Sequence, residues 1–321
     1  MRLFITGATG FAGSHLLDLL LAEEHEVYAL VHPSSSTQSL PEHPLVHSVE
    51  GDLLDLDGLK TAVSNAKPDV IYHLAGQPFP ARSWVDPAFT FAVNVGGTAN
   101  LLQAAVAYGR PRVLVITSAE IYGRIVPEDL PITEDLVPHP RHPYGVSKWA
   151  ASQLVPIYWE RYQLPVVEAR PFNHIGPRQA LGFVVPDFAS QLAAIKLKQQ
   201  APVMRVGNLD ARRDFTDVRD VVRAYKTLAE YGVPGEGYLI CSEQPVSIHY
   251  LLAALAELAD VRVEIEYDPE RMRPSDVPLL YASYRKLNKQ TGWQPEIHLR
   301  QSLADVLDGW LEQLQMERDD G

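Results

Sequence analysis

The chain has 321 residues, enough for two domains with sizeable cores, and its 46% apolar content is that of a globular protein rather than a disordered one. A formal net charge of −12 argues against nucleic acid, whose phosphates need clustered Lys and Arg, although a few local arginines suffice for a phosphorylated small ligand. The single cysteine, Cys241, excludes an internal disulfide and a cysteine-based metal site; with no charged leader and no apolar run of membrane length, a soluble cytoplasmic protein is expected.

Short apolar, β-branched runs at Leu3–Thr6, Val27–Val31, Val46–Val49, Val70–Leu74 and Val113–Thr117 predict strands. Helical spacing at Ser14–Glu24, Leu56–Ala66 and Phe89–Tyr108 fills the gaps between them. That alternation predicts an α/β fold with a doubly wound parallel sheet and helices on both faces, which is why its strands are continuously apolar. A helix from near Tyr144 to Tyr162 and a strand at Val166–Arg170 follow. Past Pro171 the rhythm breaks into a loop, a helix near Asp187–Lys198 and a strand at Val203–Val206. A helix at Asp217–Tyr231 then precedes the strand Tyr238–Cys241, which can return to the main sheet with Cys241 buried in it. Helices at Ile248–Ala259 and Gln301–Leu314 close the chain, and the acidic tail from Glu317 is expected to be solvated.

The sharpest local signal is Gly7-Ala8-Thr9-Gly10-Phe11-Ala12-Gly13, placed directly after a strand and opening a helix. The first glycine suits a tight turn, the second lets backbone approach a pyrophosphate, and the third lets helix and sheet pack closely. The helix N-terminus then offers free N–H groups to the phosphates. The second strand ends in His32-Pro33-Ser34-Ser35-Ser36, without the acid that holds the ribose 2′-hydroxyl of NAD. A histidine and hydroxyls there suit a 2′-phosphate, which favours NADP(H), with NAD(H) as the alternative. Asp52 after the third strand is either an acceptor for the adenine amino group or a turn and cap residue.

Tyr144 and Lys148 fall four apart, on one face of a helix. An ammonium beside a phenol favours the phenolate, so the pair suits proton exchange with a carbonyl or alcohol oxygen. Ser118 follows a strand and should reach the carboxyl edge of the sheet, where such folds bind ligands. His73, His142 and His174 read as structural, because Tyr144 fills the acid–base role, and no set of His, Asp and Glu has metal spacing.

Together Thr6–Gly13, His73-Leu74-Ala75-Gly76, Asn94–Thr98, Ser118 and Tyr144–Lys148 resemble the extended short-chain dehydrogenases/reductases that act on nucleotide sugars, over residues 1 to about 312. The stretches Arg170–Arg178, Leu181–Val184, Val206–Val218 and Arg271–Pro278 resemble the GDP-mannose branch. Within it, Asp214–Val218 and Arg273–Pro278 are more similar to the reductases of GDP-4-keto-6-deoxy-D-mannose, which form GDP-D-rhamnose, than to the 4,6-dehydratases. Glu120 stands where those dehydratases place the base for the C5 proton, but the reductases resemble this sequence there too. Dehydration, or both activities, is therefore the alternative. A dinucleotide-binding sensor without turnover is a remote third, because Ser118, Tyr144 and Lys148 are all present.

The resemblance implies a Rossmann cofactor domain of residues 1–170 with about 215–245, and a nucleotide-sugar domain of residues 171–214 with 246–321. It implies catalysis by Ser118, Tyr144, Lys148 and Glu120. The cofactor contacts it implies are Gly7, Thr9, Gly10, Phe11, Ala12, His32, Asp52, Leu53, Leu74, Ala75, Gly76, Asn94, Thr117, Tyr144, Lys148 and Pro171. Asn173, Arg178, Val184, Arg213 and Arg273 are implied for the substrate, the arginines because a guanidinium fork suits a diphosphate. The partners implied are a GDP-sugar and a second copy of the chain, joined through a bundle that includes the Tyr144 helix, or a tetramer.

Overall fold

Along β1 (Arg2–Thr6), Leu3 and Ile5 enter one hydrophobic cluster and Phe4 another, so the strand is covered on both faces. A computed structural model, describing residues 1–34, 40–269 and 278–319, shows how the rest is arranged around it. The first cluster lies beneath α1 (Phe11–Ala22). The chain continues through β2 (Glu26–Val31), β3 (Val46–Glu50), α2 (Leu56–Ala66) and β4 (Val70–His73). Two short helices, α3 (Pro80–Val85) and α4 (Pro87–Phe91), precede α5 (Thr98–Tyr108), β5 (Arg112–Ile116), α6 (Pro143–Tyr162) and β6 (Val166–Pro171). Helices α2, α5 and α6 cover the second cluster through Leu59, Val63, Leu101, Leu102 and Val155.

The helix predicted over Phe89–Tyr108 forms, and it runs unbroken from Pro87 to Tyr108. Between α4 and α5, Ala92–Gly97 is wound as a wider π-turn, a local insertion common at functional sites. Periodicity cannot reveal such a turn, because it changes the helical phase by only a fraction of a turn.

After β6 come β7 (Asn173–Ile175), α7 (Val184–Lys196), β8 (Val203–Val206) and β9 (Arg212–Asp217). Then α8 (Val218–Tyr231) packs on α1, contributing Val221, Tyr225 and Leu228 to the first cluster. β10 (Gly237–Ile240) returns to pair with β6, as the apolar run predicts; Cys241 sits one residue past it and is fully buried. The main sheet is seven-stranded and parallel throughout, in the order β10-β6-β5-β4-β1-β2-β3, the doubly wound arrangement.

The remaining elements are β11 (Pro245–Ser247), α9 (Ile248–Ala259), β12 (Glu264–Tyr267), β13 (Leu279–Leu280), α10 (Arg285–Thr291) and α11 (Leu299–Asp319). β9 pairs with β7, β11 and β13 in a second sheet, whereas β8 and β12 form a separate ribbon. A further cluster of Val185, Leu192, Leu251, Leu255 and Leu303 ties α7, α9 and α11 together. Buried carboxylates join this part to the rest. Asp217 caps α8 and accepts from Ser302 Oγ at 2.6 Å, and Asp220 accepts the Glu296 and Ile297 amides. No strand is expected from the sequence at β7, β9 or β13: β7 and β13 have only three and two residues, and β9, Arg212-Arg213-Asp214-Phe215-Thr216-Asp217, is charged rather than apolar.

Candidate active site

The glycine turn is built by contacts that no side chain could survive. Gly7 is left-handed at φ +79°, and a Cβ there would lie 2.7 Å from the Ala75 amide nitrogen. A Cβ on Gly13 would stand 1.9 Å from the Gly7 carbonyl oxygen, which is how closely α1 meets the turn. Gly10 caps α1 with neither a side-chain cap nor an acid in the first turn, so the amides of Phe11 and Ala12, beside Thr9, are left for an anion. Across the cradle, the Leu74 and Ala75 amides both donate to the Thr6 carbonyl at 3.1 Å. A Cβ on Gly76 would lie 2.8 Å from Asn94 Oδ1. Phe11 stacks on His174 of β7, with centroids 5.6 Å apart and planes within 2°. This bare, backbone-lined cradle fits the pyrophosphate of a dinucleotide.

At the end of β2, His32 Nδ1 bonds Ser34 Oγ at 2.8 Å, and Nε2 faces Asp52 Oδ2 at 3.6 Å. Asp52 also accepts the Leu54 amide at 2.9 Å, so it is a turn residue whose second oxygen remains at the site. A carboxylate from the end of β3 thus lies beside His32 at the end of β2. Leu53 is buried and packs where a Cβ on Gly97 would fall.

Ser118, directly after β5, caps a short turn and accepts the Glu120 amide at 3.2 Å. The buried Tyr144 side chain lies near enough to Ser118 for the serine hydroxyl to favour the phenolate. Lys148, one turn along α6, donates to the Ile116 carbonyl at 3.0 Å. These three side chains converge at the carboxyl edge of the sheet, beside Asn94, Thr117 and Pro171. Thr117 turns its hydroxyl to the buried Glu168. One expectation fails. Tyr144 is not brought down by Lys148: burial pushes it up to about 12, Ser118 opposes that, and the charge of Glu120 adds to it. Burial instead lowers Lys148 to about 8, with Glu168 opposing. The phenol is therefore the proton-bearing form. His73 is structural: it lies between Thr6 and Thr98 at 2.8 and 2.9 Å, and burial drives it down to about 3.

A model of the GDP-mannose 4,6-dehydratase family matches residues 4–306. The chain belongs to this family. It is 42% identical to a GDP-6-deoxy-D-mannose reductase of Pseudomonas aeruginosa, across 96% of this chain and 97% of the relative. Its fold is similar to the structure of RMD from P. aeruginosa complexed with NADPH, with a TM-score of 0.87, 40% identity and coverage of 97% and 99% of the two chains. The UDP-glucose 4-epimerase of Thermus thermophilus in complex with NAD is similar too, with a TM-score of 0.85, 29% identity and coverage of 97% and 99%.

Among the residues expected to meet the substrate, Asn173 lies on β7, which runs parallel to β9 with Asn173 opposite Phe215. Val184 opens α7. Arg213 on β9 is half-buried and lies in the field of Glu120; burial lowers it. Arg178 behaves differently. It pairs with Asp18 of α1 at 2.7 Å and bonds His15 Nδ1 at 2.7 Å. Arg273 lies outside the described residues.

Gln77 and Ser147, which the sequence motifs do not single out, hold Asn94. Asn94 Oδ1 accepts the Gln77 amide at 2.8 Å, and its Nδ2 donates to Ser147 Oγ at 2.9 Å. His142 caps α6. A polar residue immediately before Pro143 is an N-cap signal, with Pro at the first helical position, and could have flagged it. Among the described residues no cluster of His, Cys, Asp or Glu could hold a metal, and no helix is long and apolar enough to cross a membrane.

Proposed function

We propose that this protein reduces the C4 ketone of GDP-4-keto-6-deoxy-D-mannose with NADPH, giving GDP-D-rhamnose. The observation that carries this reading is the convergence of Ser118, Tyr144 and Lys148 beside the glycine cradle, in a chain similar along its length to a reductase of that substrate class. When bound, NADPH supplies the hydride that C4 accepts. Tyr144, protonated at neutral pH, gives its proton to the C4 oxygen as the carbonyl becomes an alcohol. Ser118 holds that oxygen and the phenol in line. The Lys148 ammonium binds the cofactor ribose. The turn from Gly7 to Gly13 takes the pyrophosphate, and His32 with Ser34 takes the 2′-phosphate. Arg213 and Arg273 take the GDP diphosphate.

The protein acts as a cytoplasmic homodimer in this reading. Helices α3, α4 and α6 pack together and leave Trp84, Val85 and Ile157 66%, 85% and 53% exposed. Exposed apolar groups on these helices suit a second copy of the chain.

The decisive assay supplies GDP-4-keto-6-deoxy-D-mannose and NADPH and follows NADPH oxidation and the product. No oxidation would sink the reading. Glu120 is the observation that favours dehydration. Ketone formed from GDP-mannose and catalytic NADP⁺ would establish that activity and overturn a pure reductase.

A further inference from the structure

His142 touches both the helix that bears Tyr144 and the one carboxylate whose role the reaction leaves open. Its Nδ1 accepts the Gly145 amide at 3.0 Å. A ring nitrogen that accepts from a backbone N–H carries no proton, so the neutral imidazole holds its proton on Nε2. Nε2 lies 2.9 Å from Glu120 Oε2 and donates to it. The same ring lies roughly parallel to the Tyr144 ring, centroids 6.0 Å apart and planes 19° from parallel. Glu120 meanwhile keeps 43% of its side chain exposed, and its charge is felt by Tyr144 and by Arg213. It is a carboxylate on the wall of the cleft, held from behind.

What such a carboxylate does depends on the substrate, and here the inference rests on the ketone-reducing reading. A C4 ketone makes the C–H bonds at C3 and C5 acidic. A free carboxylate can take one of these protons. The C–H pair then becomes the C=C bond of an enolate, with its charge on the C4 oxygen beside Tyr144. Return of a solvent-exchanged proton to carbon restores the ketone, with nothing oxidised or reduced. For a reductase this is a leak that exchanges hydrogen and scrambles a stereocentre. We infer that His142 is a positioning residue that restrains Glu120, and so suppresses enolisation of the bound keto sugar. That bond fixes the orientation of the carboxylate and offsets part of its charge, which disfavours taking a proton from carbon.

The test uses the full-length protein with NADP⁺ and GDP-4-keto-6-deoxy-D-mannose in deuterated water. Deuterium in the recovered ketone is measured by mass spectrometry, and reduction by NADPH is measured in parallel. H142N keeps a good helix cap, but its amide is shorter than the imidazole and does not extend to the Nε2 position that bonds Glu120. H142S repeats the test with another capping residue. Both variants should incorporate about tenfold more deuterium than the unaltered protein, the factor that one hydrogen bond to a charged group represents. The double variant H142N/E120Q should return to the original level. A residue that only capped the helix would move stability but not deuterium. Deuterium unchanged in folded H142N and H142S overturns the inference, as does excess deuterium that persists in the double variant. If the unaltered protein does not oxidise NADPH with this ketone, it is the reductase reading that fails.

Discussion

The two ends of the cofactor cleft are made differently. The glycine turn is almost all backbone: its function lies in what is absent at Gly7, Gly10 and Gly13, and seven consecutive residues supply it. The Ser118–Lys148 end is all side chain, drawn from the β5 end, α6 and the π-turn, with Glu120 and His142 behind it. A backbone site is preorganised by strand–helix geometry and tolerates almost no added volume. A side-chain site depends on burial and on neighbours far away in the chain, so its electrostatics can depart from what the motif suggests.

The comparison breaks first at Tyr144. Tyr144→Phe removes the proton donor without touching the cradle, so turnover should fall by about 10³-fold, within the usual range for general acid catalysis, while NADPH still binds by fluorescence titration. Substantial residual turnover would move the acid elsewhere.

Gly13→Ala attacks the other end. Its methyl group would meet the Gly7 carbonyl, and overpacking against unyielding backbone costs about 3 kcal/mol. Denaturant midpoint and NADPH affinity should fall together, and an unchanged midpoint would show that the turn can relax.

The next effect is one of pH. Burial lowers Lys148 from 10.5 to about 8, so its ammonium is intact below pH 8 and lost above it. Reduction should decline as pH rises through about 8, while Tyr144 keeps its proton. The stability effect has the opposite sign: the cost of burying the charge is fully present below pH 8 and fades as pH rises from about 8 to 10.5. Lys148→Arg should move the alkaline limb upward; a pH–rate profile that does not move assigns the limb to another group.

The smallest effect lies at the adenosine end. Asp52→Asn removes a negative charge 3.6 Å from His32, where the 2′-phosphate is expected. The preference for NADPH over NADH should rise by a few-fold, about what one exposed charge contributes. A shift towards NADH would place the 2′-phosphate elsewhere.

Much of the fold is legible in the sequence. Continuous apolar strands require burial on both faces, and the glycine spacing is itself a steric statement. From these the parallel sheet, most of its helices and the turn follow directly. The limit shows at particular residues. Asn94 read as one motif position in a continuous helix, yet it works from a π-turn. Arg178 has the same side-chain chemistry as Arg213, but only one of them meets Asp18 and His15.

The sequence by itself determined a doubly wound sheet with a phosphate-sized cradle, because strand burial and glycine sterics are local and repeat along the chain. Only the tertiary structure decided that Tyr144 keeps its proton, that Asp52 stands opposite His32, and that His142 holds Glu120. Each of these depends on desolvation or on a charge a few ångströms away, and those distances are set by packing rather than by position in the chain.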